Sequence, residues 1–180
     1  FVYKYLTAGG VEAVLRARLA GLPAEGIEAH AWFLHDYGGR SVFRGLEPLV
    51  HVGDVEEFGR FAAAGGFDLV GTIDTEEVLP ALAQPGAPRW FLECHSGYVE
   101  NLGYLRDAAA QAPLAVLVPS AAQGELVAER LPGVATRVVP NALAADFAAP
   151  LAQSAAKPPR PVVAWIGRLD AHKNWRAFLA

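Results

Sequence analysis

Short apolar runs alternate along the chain with longer segments in which apolar residues recur every three or four positions. The short runs, bounded by turn-forming residues, predict buried strands, and the longer segments predict amphipathic helices. The predicted strands cover residues 1–6, 27–34, 49–52, 67–73, 89–94, 114–118, 136–143 and 162–166. The predicted helices cover residues 11–22, 55–64, 101–112, 121–131 and a segment that begins at Glu76. This alternation predicts an α/β protein with a Rossmann-like, doubly wound and mostly parallel sheet covered on both faces.

Polar side chains mark where two of these helices begin. Ser120 precedes the predicted helix over residues 121–131, where its hydroxyl is expected to cap the first turn. Asp74 or Thr75 is expected to cap the helix that begins at Glu76, and Pro80 is expected to help end it.

The linker between two domains is predicted from composition. Residues 149–161 contain four prolines together with Gln, Ser and Ala, which is typical of an interdomain connection. We therefore expect a first domain over residues 1–148 and the incomplete start of a second domain over residues 162–180. The chain has no Met and stops within an apparent helix, so the sequence is interpreted as part of a longer protein.

Composition and charge exclude several classes of protein. Hydrophobic residues make up 53% and charged residues 19% of the chain, so a packed core is available. A net charge of -4 and a pI near 5.7 argue against a general nucleic-acid binder. No apolar run reaches the roughly 18 residues of a membrane-spanning helix. The single cysteine, Cys94, rules out an internal disulfide and fits a reducing compartment, so we expect a cytoplasmic protein.

Gly9 and Gly10 form a predicted tight loop between the first strand and the first helix. Such a loop can bring backbone N–H groups against an anion or a sugar. The segment does not have the GxGxxG spacing, so a dinucleotide fingerprint is absent. An ordinary strand-to-helix turn is the alternative interpretation.

Histidines provide the candidate chemistry of the first domain. His95 follows a buried strand at the carboxyl edge of the predicted sheet, where open α/β sheets bind ligands. A loop histidine that is satisfied by the backbone is the alternative. His35 and Asp36 fall in a predicted polar loop, as either a catalytic pair or solvated residues, while His30 and His51 are interpreted as structural. No metal site is predicted, since the single Cys and the scattered His residues have no ligand spacing.

Two cations follow the last apolar run. Residues 162–166 predict a strand, Gly167 allows a sharp turn, and Arg168 and Lys173 lie just beyond it. Arg can bind phosphate with two hydrogen bonds and Lys acts as a point charge, so the pair is a candidate clamp for a diphosphate. A surface loop that carries two solvated cations is the alternative.

The stretch from residue 166 to residue 174 resembles the signature that opens the second domain of GT-B glycosyltransferases, especially the large retaining family 4. The residues that carry the resemblance are Ile166-Gly167-Arg168-Leu169-Asp170 and His172-Lys173-Asn174. Other matches occur in the family's order along the chain: Gly9-Gly10-Val11-Glu12, His95 after a central strand, and Pro140-Asn141 before the linker. Ala142 departs from the pattern, because the family usually has glycine there.

The resemblance implies a GT-B architecture with a truncated second domain, and transfer of a sugar from a nucleotide sugar with retention and without a metal. It implies that Arg168 and Lys173 hold the donor diphosphate. It further implies that Gly9 and Gly10 approach donor or acceptor, and that His95 is the catalytic-site residue that orients the sugar or its acceptor. The nucleotide sugar is then a substrate, no cofactor is expected, and the acceptor is a sugar, a lipid or another small molecule. For a lipid acceptor the resemblance extends to peripheral membrane association, and the 180 residues alone are expected to be inactive.

Two other functions fit parts of the pattern. A non-catalytic α/β domain that binds a small anionic ligand or a protein would explain the sheet and the Gly-Gly loop. A GT-B phosphorylase or epimerase would share the whole architecture. The products distinguish these enzymes, since a transferase yields a glycosylated acceptor, a phosphorylase a sugar phosphate and an epimerase an altered nucleotide sugar.

Overall fold

The fold is taken from a computed structural model that describes residues 1–96, 102–141, 174, 176 and 177. The predicted linker over residues 149–161, the predicted strand over residues 162–166, Arg168 and Lys173 lie outside the described residues. Those predictions therefore remain predictions.

Seven strands form one sheet in which every neighbouring pair is parallel. The sheet order is β3-β2-β1-β4-β5-β6-β7. The strands are β1 (Val2–Leu6), β2 (Ala31–Asp36), β3 (Val50–Val52), β4 (Leu69–Ile73), β5 (Arg89–Glu93), β6 (Val116–Val118) and β7 (Thr136–Val138). The predicted α/β class is confirmed, and the order is compatible with a Rossmann-like fold.

Helices cover both faces of the sheet and divide the core into two clusters. The helices are α1 (Gly10–Gly21), α2 (Val55–Ala64), α3 (Leu79–Leu82), α4 (Leu105–Ala110) and α5 (Ala121–Arg130). On one face α1 packs Leu15 and Leu19 with Phe33 of β2. On the other face α2 to α5 pack around β4, β5 and β6, where Leu92 and Val116 are fully buried. Because the helices bury both faces of the sheet, the side chains on both faces of the strands are predominantly apolar.

The direction in which strands are added reverses at β1. The chain passes from β1 to β2 and β3 on one side, and β4 then pairs with the other side of β1. Such a switch point separates the loops that follow β1 and β4, and leaves a crevice at the carboxyl ends of the strands. The fold therefore places the loops after β1, β4 and β5 at one edge.

Local capping explains two helix starts that were predicted from the sequence. In α2 the Asp54 carboxylate accepts a hydrogen bond from the backbone N–H of Glu57, and the Glu57 carboxylate accepts one from Asp54. This capping box fixes α2 at the predicted residues. In α5 the Ser120 hydroxyl accepts a hydrogen bond from the Gln123 N–H, which confirms the predicted cap.

The second strand is displaced from its predicted position. It begins at Ala31 instead of residue 27, because a short 3₁₀ turn at Leu22–Glu25 precedes it and Ile27 remains 49% exposed. His35 and Asp36, predicted to lie in a loop, are the last residues of β2 and pair with the end of β1.

The segment after β4 was wrongly predicted in its details. It forms a 3₁₀ turn at Glu76–Val78 followed by α3, and neither Asp74 nor Thr75 caps it with a side chain. Pro80 lies in the first turn of α3 instead of at its end, a position where the missing N–H carries no penalty.

Within the part of the chain that the structure describes, none of the helices is long and apolar enough to cross a membrane.

Candidate functional site

The Gly-Gly loop is held from inside by Glu12, which lies in the first turn of α1 and is only 1% exposed. Its Oε1 atom accepts hydrogen bonds of 2.6 Å from the backbone N–H and the hydroxyl of Thr7. A Cβ at Gly9 would lie 2.8 Å from the other carboxylate oxygen, whereas a Cβ at Gly10 would meet none of the atoms of the described residues within 4 Å. Gly9 is therefore constrained by the protein itself, while Gly10 has no such neighbour in the part of the chain that the structure describes.

A second loop, after β2, lies against the first. A Cβ at Gly39 would approach the Thr7 carbonyl oxygen to 2.1 Å, so the two backbones are in direct contact. Asp36 stabilises this second loop by accepting hydrogen bonds from the Gly38 N–H and from Arg40 Nε, both at 2.8 Å. The Gly38 and Arg40 contacts lower the pKa of Asp36. Asp36 therefore stabilises the loop that directly follows it after β2.

His95 lies immediately beyond β5, at the carboxyl edge of the sheet, as predicted. Its backbone N–H donates a 2.9 Å hydrogen bond to Asp74 Oδ2, and the Tyr104 hydroxyl donates one of 3.0 Å to Asp74 Oδ1. Asp74 follows β4 and has φ 40°, in the left-handed region that non-glycine residues rarely adopt. Burial raises the pKa of Asp74, although the two hydrogen bonds oppose the shift. Asp74 therefore joins the loop after β4 to the loop after β5.

A further contact fixes the backbone after His95. The Gln123 side-chain amide, on α5, donates to the Ser96 carbonyl oxygen and lies 3.3 Å from Cys94 Sγ. Burial raises the pKa of Cys94 to about 12, so this thiol is not a nucleophile near neutral pH. The segment that carries His95 is consequently held on both sides.

The His95 ring is held by a buried carboxylate. Its Nε2 atom lies 3.1 Å from Glu93 Oε2, and Arg18 of α1 donates a 2.5 Å hydrogen bond to Glu93 Oε1. Glu93 is 1% exposed. Burial raises the pKa of Glu93, but the hydrogen bonds from His95 and Arg18 outweigh that effect and leave the pKa below its usual value. The carboxylate is therefore ionised at neutral pH.

The glycine loop and His95 both follow strands at the carboxyl edge of the sheet. Strands β1 and β5 are separated only by β4, which corresponds to about 10 Å at the usual strand spacing. The helix that begins at Gly10 also supplies Arg18, so α1 links the two features. An imidazole in this position can accept or donate a hydrogen bond to a hydroxyl of a bound molecule. Arg168 and Lys173 lie outside the described residues, and their distance from His95 is not defined.

Sequence reasoning missed the residues that support His95. Glu93 and Arg18 are 75 residues apart, and Asp74 and Tyr104 are 30 apart, so periodicity does not connect them. One signal was present: Glu93 is a charged residue in a run that was predicted to be a buried strand. A charge is rarely buried without a partner, so that position required one elsewhere in the chain.

The aromatic residues at the ends of β1 and β2 are exposed at the same edge. Tyr5 and Tyr37 are 38% and 67% exposed, and their ring centroids lie 5.7 Å apart. The His35 ring lies 6.0 Å from Tyr5 and 6.3 Å from Tyr37. His35 therefore packs in an aromatic cluster, while the carboxylate of its neighbour Asp36 bonds to other residues.

A cavity of about 240 Å³ lies elsewhere, at the amino ends of the strands. Its lining is largely apolar and includes Trp32, Phe61 and His30. His30 Nδ1 lies 3.0 Å from His51 Nε2, and burial, followed by the nearby His30, lowers the pKa of His51. Because this cavity is on the opposite edge from His95, the two histidines belong to the packing of the amino edge.

No group of three or more His, Cys, Asp or Glu residues suited to a metal occurs among residues 1–96 and 102–141 or at the described positions beyond them. The chain matches no protein-family model, no curated protein and no solved structure.

Proposed function

We propose that the chain is the acceptor-side domain of a GT-B glycosyltransferase together with the opening of its donor domain. The observation that carries the proposal is His95, anchored through Asp74 and Glu93 at the sheet edge beside the Gly-Gly loop. Open α/β sheets bind their ligands at this edge. The order of the sequence motifs supplies the second support, because the Gly-Gly loop, the histidine, the linker and the paired cations follow one another as in the family.

The proposed donor site lies in the second domain. Arg168 and Lys173 follow a predicted strand and would stabilise the negative charge that develops on the departing diphosphate. Two fixed cations can supply this stabilisation without a metal ion. His95 would bind a hydroxyl of the transferred sugar or of the acceptor, and the open space at Gly10 would admit the bound substrate.

A panel of nucleotide sugars and candidate acceptors, tested with the full-length protein, identifies the reaction from its products. We expect a glycosylated acceptor, and we expect Arg168→Ala and Lys173→Ala each to lower kcat/KM by about 100-fold, the usual cost of removing one such group. Arg60→Ala is the matched control, since Arg60 is an exposed cation on α2 that pairs only with Glu56 among the described residues. Unchanged turnover in the Arg168 and Lys173 variants would reject the assignment.

Gly10→Ala tests whether a ligand occupies the glycine loop. The added methyl group meets no atom of residues 1–96 and 102–141 within 4 Å, so folding of this domain should be unaffected. If substrate approaches this position closely, KM for donor or acceptor should rise several-fold. A variant with wild-type kinetics for every substrate would show that the loop is only a turn.

The same panel separates the alternative functions. A non-catalytic binding domain would bind one ligand without forming a product. A phosphorylase would release a sugar phosphate, and an epimerase would return an altered nucleotide sugar. Only a glycosylated acceptor supports the proposal.

A further inference from the structure

Arg18, Glu93 and His95 form a continuous hydrogen-bonded series in which each carboxylate oxygen has its own partner. Oε1 accepts from Arg18 at 2.5 Å and Oε2 faces His95 Nε2 at 3.1 Å. An ionised carboxylate is only an acceptor, and arginine is only a donor. The hydrogen between Glu93 and His95 must therefore reside on Nε2.

This arrangement determines the chemistry of the other ring nitrogen. A neutral imidazole carries one hydrogen, so a ring with its hydrogen on Nε2 has a free lone pair on Nδ1. Among the residues that the structure describes, none donates a hydrogen bond to Nδ1 of His95. The backbone of His95 is fixed independently by Asp74, so the ring orientation depends chiefly on Glu93.

We propose that Glu93 and Arg18 are positioning residues that hold His95 in the Nε2–H tautomer, so that Nδ1 accepts a hydrogen bond from a substrate hydroxyl. The choice of substrate hydroxyl as the donor rests on the proposed glycosyltransferase function. The tautomer itself follows from the three side chains and does not depend on that function.

Arg18 has a distinct part in this arrangement. Its guanidinium donates to Oε1, and its positive charge favours the ionised form of the whole Glu93 carboxylate. A neutral, protonated Glu93 could donate to Nε2, and the imidazole hydrogen would then move to Nδ1. Nδ1 would become a donor and would no longer accept from a hydroxyl. Arg18 therefore maintains the acceptor state of Nδ1 through Glu93.

The isosteric change Glu93→Gln tests this directly. Arg18 can donate only to the Gln carbonyl oxygen, which turns the amide NH₂ toward His95 Nε2. We expect the imidazole hydrogen to move from Nε2 to Nδ1. Glu56→Gln is the matched control, because Glu56 is an exposed carboxylate paired with Arg60 and should leave His95 unchanged.

The tautomer is measured by ¹⁵N NMR of the imidazole nitrogens in the 180-residue chain. We expect Nε2–H in the wild type and in Glu56→Gln, and Nδ1–H in Glu93→Gln. A wild-type spectrum with Nδ1–H would overturn the proposal without any variant, even if Glu93→Gln failed to fold. A folded Glu93→Gln protein with an unchanged tautomer would overturn it as well.

Kinetics of the full-length protein then test the role in turnover. We expect Glu93→Gln to lower kcat by about 10- to 100-fold, the effect of mismatching one hydrogen bond, with a smaller change in KM. Wild-type kcat in a variant whose tautomer has inverted would overturn the positioning role. Absence of sugar transfer by the wild type would instead reject the proposed function, while the NMR result would still decide the tautomer.

Discussion

Gly39→Ala should disrupt the contact between the loops after β1 and β2. A Cβ at Gly39 would lie 2.1 Å from the Thr7 carbonyl oxygen, 2.5 Å from its carbon and 2.6 Å from its nitrogen. Ordinary van der Waals contact begins at 3.4 Å, so the two loops would have to separate by roughly 1 Å. All three atoms belong to the backbone, so no side-chain rotation can relieve the overlap.

The expected loss of stability is about 3 kcal/mol, the upper part of the range for overpacking a tightly packed site. For a chain of 180 residues this corresponds to a Tm lower by roughly 6 to 12 °C. Urea unfolding followed by circular dichroism measures the free energy of unfolding, and the slope of the transition should not change.

Gly10→Ala is the matched control, because at the start of α1 the same methyl group would contact none of the described residues. Its stability should equal that of the wild type within about 0.5 kcal/mol, or exceed it slightly, since Ala favours helix more than Gly. Equal stability of Gly39→Ala and the wild type would refute the packing argument, as would equal losses in the two variants.

Three further predictions concern individual side chains. Glu12→Ala should lower the free energy of unfolding, measured in urea, by about 2 to 3 kcal/mol, because it removes the acceptor of two Thr7 hydrogen bonds. Glu12→Gln keeps an acceptor oxygen and should therefore lose less stability. Asp54→Ala should cost about 1 kcal/mol in the same assay through loss of the cap of α2, and a loss near zero would contradict the capping-box account. Because Glu93 has a folded-state pKa below its unfolded value of 4.5, its contribution to stability is present above pH 4.5 and is lost as the pH falls through the folded-state pKa. We therefore expect Glu93→Gln to lose less stability on acidification than the wild type, measured by urea unfolding between about pH 3 and pH 6, which spans ordinary carboxyl pKa values. Identical pH profiles of the two proteins would contradict this.

Local sequence signals predicted the parts of the fold that depend on neighbouring residues. The cap of α2 lies within four residues of sequence, and α2 was predicted over its observed length. Ser120 is a comparable case for α5. The parallel sheet followed from the alternation of strands and helices, because parallel strands require crossover connections.

Other features depend on tertiary contacts and were not predicted. Asp is a residue type that often caps helices, yet the Asp74 carboxylate accepts hydrogen bonds from the His95 N–H and the Tyr104 hydroxyl. These two donors reach Asp74 only when β5 and the segment around α4 have packed. His95 was predicted as a site residue from its place after a strand, but its partner Glu93 was not. The carboxylate required a cation, and no local pattern indicated that α1 would supply Arg18.

The most direct test of the account is the kcat/KM of His95→Ala in the full-length protein, measured with the nucleotide sugar and acceptor identified by product analysis. We expect a decrease of about 100-fold, comparable to removal of a hydrogen-bonding group at a reacting centre. We also expect the free energy of unfolding to fall by about 1 to 3 kcal/mol, because the buried Glu93 carboxylate loses its His95 partner. Because Asp74 holds the backbone of His95, the loop should keep its position without the imidazole. Wild-type kcat/KM in a folded His95→Ala protein would contradict the assignment of this sheet edge as the active site.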